Sequence, residues 1–133
     1  MLLGISPLLR GPLLAALDQM GHGDILVVAD ANFPAYRLGP PVFAIPGADN
    51  PAVLEAIAAV FPLDPAEPVS AMAPPTGPLP FTDQMHAALG GAEPFETIGR
   101  FEFYDLASGA SAIVQTGELR PFGCIALRKG TIN

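Results

Sequence analysis

Residues 24–30 read DILVVAD. Five apolar residues in a row, rich in β-branched types and with no polar alternation, form the pattern of a strand covered on both faces. Such a strand needs helices on either side of its sheet, and the flanking sequence supplies them. Upstream, GPLLAALDQMG (11–21) puts Pro12 at a first helical position, leucines 13, 14 and 17 on one stripe and Gly21 at the stop. Downstream, NPAVLEAIAAVFP (50–62) offers Asn50 as cap, Pro51 at the first position, and Val53, Ile57 and Val60 facing inward. PVSAMAP (68–74) reads as a short buried strand. TDQMHAALGG (82–91) reads as a third helix capped by Thr82 and ended by Gly90-Gly91, although its start reads equally as a turn. In RFEFYDLASG (100–109) strand alternation competes with helical spacing, and both stay open. ASAIVQTGE (110–118) and GCIALRKG (123–130) are two closing strands separated by a Pro/Gly turn. Interleaved helices and strands predict one three-layer α/β/α domain over residues 1–133, with a mostly parallel or mixed sheet.

Composition narrows the function classes. A chain of 133 residues can bury a core without staples. Its single cysteine, Cys124, excludes an internal disulfide and leaves no Cys/His pair for structural zinc, which fits a reducing cytoplasm. Six Lys+Arg against thirteen Asp+Glu give a net charge of −7, and the bases are scattered, which argues against a nucleic-acid partner. The apolar stretches are too short to cross a bilayer, and the prolines, Arg10 and Asp18 in the first twenty residues do not read as a signal peptide. Charged residues are 14% of the chain, against about 25% in an ordinary soluble domain. Mean hydropathy is +0.43. So few charges cover a small monomer poorly, so a homo-oligomer is expected. Sixteen prolines and fourteen glycines fall between apolar segments without a period and punctuate turns.

No GxGxxG, phosphate loop, GxSxG or HExxH is present, which leaves sparse acid/base groups. His22 lies between two glycines, Asp30 ends the apolar run, and Arg100 opens RFEFYD. Each has two readings. His22 is a loop histidine bonding backbone, or an acid/base group. Asp30 caps the turn after a strand, or binds a ligand. Arg100 is a solvated or ion-paired arginine, or a ligand anchor. Phe101, Phe103 and Tyr104 read as core more readily than as a binding platform, and His86 reads as a surface histidine. Glu118 braces either a turn or the site. Cys124 reads as a small buried residue at a strand start, with no basic neighbour to activate it.

Several blocks in order resemble the fucose mutarotase and ribose pyranase family, and its fucose branch more closely. They are ISPLL (5–9), MGHGD (20–24), Asp30 with Phe33-Pro34-Ala35, LGP (38–40), RFEFYDLA (100–107), TGE (116–118) and RKG (128–130). The resemblance implies a cytoplasmic, cofactor-free isomerase, assembled as a ring-based homo-oligomer such as a decamer, that interconverts the anomers of a free monosaccharide. L-fucose is the leading substrate. A ribose pyranase and a non-catalytic sugar-binding oligomer are the alternatives. The family's proton-donor histidine falls on His22, and its sugar-binding acid and arginine fall on Asp30 and Arg100. A further substrate-binding block falls on Phe122, Gly123 and Cys124, where the family has tyrosine, glycine and asparagine. Phe122 lacks the tyrosine hydroxyl and Cys124 is a poor substitute for an amide. Each sugar hydroxyl left unpaired would cost about 1–3 kcal/mol.

Eight residues separate His22 from Asp30, which an extended chain turns into about 26 Å. Either the Gly21-His22-Gly23 turn doubles back beside the strand, or the two residues reach one sugar from adjacent subunits.

Overall fold

In the computed structural model, which describes residues 1–133, the apolar run becomes strand β1 (Ile25–Ala29) inside a six-stranded sheet. Strand β5 (Ala112–Thr116) runs parallel to it on one side, and β6 (Ile125–Arg128) runs antiparallel on the other. Strand β2 (Val42–Ile45) lies beyond β5, and β3 (Val69–Met72) and β4 (Phe95–Ile98) lie beyond β6, giving the order β2-β5-β1-β6-β3-β4. Only β6 opposes the other five, so the sheet is mixed.

Side chains alternate across a strand, and both sets on β1 are buried. Leu26 and Val28 face a cluster built with helices α1 (Gly11–Gln19), α2 (Asn50–Ala58) and α3 (Pro80–Ala88). Val27 and Ala29 face α4 (Arg100–Ser108) and a 3-10 turn at Ala35–Arg37. All four are 0% exposed. Each Leu or Val so enclosed contributes about 1.5–3 kcal/mol, which is why this strand, with no alternation, holds the centre of three layers. No helix is long and apolar enough to cross a membrane.

The structure departs from the sequence reading in several elements. Strands β2 and β4 carry no sequence signal because they are four-residue edge strands, only half buried. Helix α2 is capped by Asp49, whose Oδ1 accepts the Ala52 N–H at 3.0 Å, and Asn50 is its fully buried first residue. It ends at Ala58, which leaves Val60 36% exposed rather than inward. Helix α3 starts at Pro80, and Thr82 reaches back to accept the Leu79 N–H at 3.3 Å. Helical spacing wins in α4 because Phe103 and Ala107 fall one turn apart on the buried face, while Phe101 is exposed. His86 is half-buried, stacked on Phe95 with 4.1 Å between ring centroids and bonded to the Ala92 carbonyl.

Candidate functional site

The C-terminal ends of the parallel strands share one edge of the sheet, the edge where open α/β folds place ligands. Asp30 leaves β1 there, Arg100 opens α4 just after β4, and the loop 117–124 enters antiparallel β6 from the same side. The fold therefore brings together Asp30, Arg100, Phe122, Gly123 and Cys124.

Asp30 is 8% exposed and held on several sides. Its Oδ1 accepts the Asn32 N–H at 3.0 Å, and its Oδ2 accepts the Gly123 N–H at 3.2 Å and the Cys124 S–H at 3.4 Å. Gln115 Nε2 donates to the carbonyls of Asp30, Ala31 and Phe33, which fixes the turn beneath it. Gly123 is obligatory on packing grounds: a Cβ there would lie 2.9 Å from Glu118 Cγ and 3.0 Å from the Phe81 ring. Cys124, grouped above with the substrate-binding residues, has no exposed surface, so its side chain reaches the site only through Asp30. Burial first, and the neighbouring Asp30 charge second, push its thiol well above the ordinary range.

Phe122 sits at φ 60°, the left-handed region that non-glycine residues rarely enter. Such a conformation costs on the order of 1–3 kcal/mol and persists only where the surroundings impose it. The same loop is held by Glu118, a 3%-exposed carboxylate. The Arg120 guanidinium donates to both its oxygens at 2.9 and 3.0 Å, the Arg120 N–H adds a third bond at 3.1 Å and the Asn50 N–H a fourth at 3.3 Å. The Arg120 hydrogen bonds hold Glu118 below the usual carboxylate range against the opposing effect of burial. The Arg120 guanidinium also lies 3.9 Å from the Phe81 ring centroid. Glu118 is thus a brace of the loop. The TGE block signals it, but of its partners Asn50 reads in the sequence only as a helix cap and Arg120 carries no signal.

Arg100 donates from Nε to the Tyr104 hydroxyl at 2.8 Å and lies over the rings of Phe101 and Tyr104. No carboxylate pairs with it. Asp30, Phe33, Met72, Arg100, Tyr104 and Phe122 line a cleft of about 270 Å³. A larger one of about 690 Å³ adjoins it through Arg100 and Phe122. Of the three aromatics in RFEFY, Phe103 is core, Phe101 is 72% exposed, and half-buried Tyr104 borders the cleft.

His22 does not join them. Its turn is tied to the far end of β6, where Gly23 N–H donates to the Lys129 carbonyl at 2.8 Å and Lys129 N–H donates to that of Asp24 at 2.9 Å. Asp30 meets the beginning of β6. The rise from Asp24 to Asp30 is about 20 Å at 3.3 Å per residue, so within one chain the turn does not double back. The His22 side chain is 62% exposed, and its Nε2 lies 3.0 Å from Oδ2 of Asp64. Asp64 carries no sequence signal. Its carboxyl is held below its ordinary value chiefly by the Ala66 N–H and further by His22. No three His, Cys, Asp or Glu side chains converge as metal ligands.

The profile of the RbsD / FucU transport protein family matches residues 3–132. The L-fucose mutarotase of Glaesserella parasuis serovar 5 (strain SH0165) is 40% identical over 139 residues, spanning 98% of this chain and 95% of that relative. Among solved structures, FucU from Bifidobacterium longum aligns with a TM-score of 0.91 at 34% identity, over 98% of this chain and 99% of its own. A fucose mutarotase from Streptococcus pneumoniae, in complex with L-fucose, aligns with a TM-score of 0.90 at 28% identity, over 99% and 100%.

Proposed function

This chain belongs to the RbsD / FucU transport protein family, and on that premise we propose that it is an aldose mutarotase, an isomerase interconverting the α and β anomers of L-fucose. The observation that carries the reading is the cleft itself. A clamped carboxylate, an arginine without a carboxylate partner and an aromatic ring converge on about 270 Å³, near the low end of the ~300–1,000 Å³ of ligand pockets. Mutarotation needs little more than that and a proton carrier. One group protonates the ring oxygen while another takes the proton of the anomeric hydroxyl, and the C1–O5 bond opens to the aldehyde. Rotation about C1–C2 and reversal of the same transfers close the ring on its other face.

Asp30 and Arg100 hold sugar hydroxyls in this scheme, and the Phe122 ring packs on a sugar face. Gly123 and Cys124 act through Asp30. His22 moves the proton, since an imidazole both gives and takes one near neutrality. Because it lies at the opposite edge of the sheet, the His22 that serves a cleft comes from an adjacent subunit. A contact joining one edge to the other is heterologous, and where its rotation closes it builds a ring, which fits a ring-based homo-oligomer, a decamer in our reading. Exposed apolar residues at both edges support it too: Leu2, Val60 and Ile132 line a groove with Lys129, and Phe101 and Leu119 flank the cleft end. The single thiol and the family resemblance favour a cytoplasmic setting.

Phe122 and Cys124, which stand where the family has tyrosine and asparagine, favour a second reading, a sugar binder without turnover; a ribose pyranase is the alternative among enzymes. Saturation-transfer proton NMR on a panel of free sugars separates them. Accelerated exchange between the anomeric signals of L-fucose is the expected result. Exchange between ribose pyranose and furanose signals instead would make the protein a pyranase, and binding without exchange would make it a sugar binder.

A further inference from the structure

We infer that Asp64 is the positioning residue of the catalytic histidine, fixing the His22 ring through Nε2 so that Nδ1 is the nitrogen that exchanges protons with the sugar. The inference rests on the reading of His22 as the acid/base group. Its evidence is geometric. Asp64 Oδ2, 3.0 Å away, is the one side-chain partner of an imidazole that is otherwise exposed. Asp64 itself is held firmly. Its side chain is 9% exposed, its Oδ1 accepts the Ala66 N–H at 2.9 Å, and its own N–H donates to the Arg128 carbonyl at 3.0 Å. Leu63 pairs with Lys129 in an isolated bridge, and Gly130 lies so close that a Cβ there would sit 2.6 Å from the Leu63 carbonyl oxygen. The histidine turn hangs from the same Lys129 through Gly23 and Asp24. Both partners are thus anchored to one strand end, and their separation is set by backbone bonds.

Oδ1 alone completes the turn at Ala66, so Oδ2 is spare for the histidine. A carboxylate accepting Nε2–H selects one tautomer, leaves the Nδ1 lone pair free and stabilises the imidazolium that forms when the base takes its proton. The other charged groups on elements bonded to this turn point elsewhere. Asp24 Oδ2 accepts the Gly21 N–H, Lys129 Nζ donates to the Leu17 and Met20 carbonyls, and Arg128 donates to Ser70 and the Pro68 carbonyl.

The test is L-fucose anomer exchange, measured by NMR across pH for the wild type, Asp64→Asn, His22→Ala and the double variant, with melting curves as a folding control. Asp64→Asn is expected to lower the rate roughly ten- to a hundredfold, the worth of one hydrogen bond to a charged group. The imidazole ¹⁵N spectrum should show a neutral ring protonated at Nε2 in the wild type and lose that preference in Asp64→Asn. The double variant should be no slower than His22→Ala. An unchanged rate and an unchanged imidazole ¹⁵N spectrum in a folded Asp64→Asn, with His22→Ala silent, would overturn the role of Asp64 and spare that of His22. Full exchange in His22→Ala would overturn both. Should Asp64→Asn not fold, ¹⁵N spectra of the wild-type imidazole decide: a neutral ring protonated at Nε2 agrees, and one protonated at Nδ1 contradicts.

Discussion

The two edges of the sheet are built in opposite ways. At the cleft edge, Asp30 is buried and tied by the backbone of Asn32 and Gly123 and by the Cys124 thiol, with the Glu118 brace behind the loop. At the far edge, His22 stands on an exposed glycine-flanked turn with one side-chain partner. A group that orients a ligand gains from rigidity, whereas a group that serves a neighbour's cleft must project from its own subunit. The contrast fits the proposal that one chain carries two halves of different sites.

The comparison breaks most directly at the exposed edge. His22→Ala should lose about 10²- to 10⁴-fold of the accelerated anomer exchange with little change in melting temperature, since the side chain is 62% exposed. A lowered melting temperature would make His22 structural. At the buried edge the ranking reverses. Gly123→Ala should destabilise by about 1–3 kcal/mol, the usual cost of overpacking, because its Cβ meets Glu118 and Phe81. Denaturant unfolding reads this directly, and an unchanged midpoint would mean that the loop yields. Glu118→Gln should lose about 1–3 kcal/mol at pH 7 and change the acid response. Arg120 holds the native carboxyl below its ordinary 4.5. The stabilisation is therefore complete above that value and fades as pH falls through the depressed native one. Wild-type stability should drop more steeply below about pH 4.5 than that of the glutamine variant, and parallel acid limbs would contradict the brace. The smallest effect is chemical. Cys124, fully buried with a raised pKa, should resist alkylation in the native state and react at once in denaturant. Rapid native labelling would show that the floor under Asp30 opens.

The central strand, its three layers and the loop-borne acid were legible because DILVVAD states its burial in its composition, and Asp30 follows from where that run ends. Strands β2 and β4 were not, since half-buried edge segments of four residues between prolines and glycines impose neither period. Asn50 stands where a cap is expected, yet Asp49 takes that task and frees Asn50 to donate to the Val28 and Gly123 carbonyls, contacts that no local pattern encodes. Asp64 lies 42 positions from His22, and only the folding of β6 brings them together. The strain at Phe122 is likewise a product of tertiary packing.

The shared cleft is tested most directly by mixing subunits. His22→Ala and Arg100→Ala oligomers, each silent alone, are dissociated, combined in equal amounts and reassembled, and L-fucose anomer exchange is measured. If each cleft takes its histidine from a neighbour, about a quarter of the heterologous contacts in a random mixture join two intact halves, and exchange should return to about that fraction of the wild-type rate. A mixture that stays silent, while wild-type subunits put through the same reassembly recover, would contradict it.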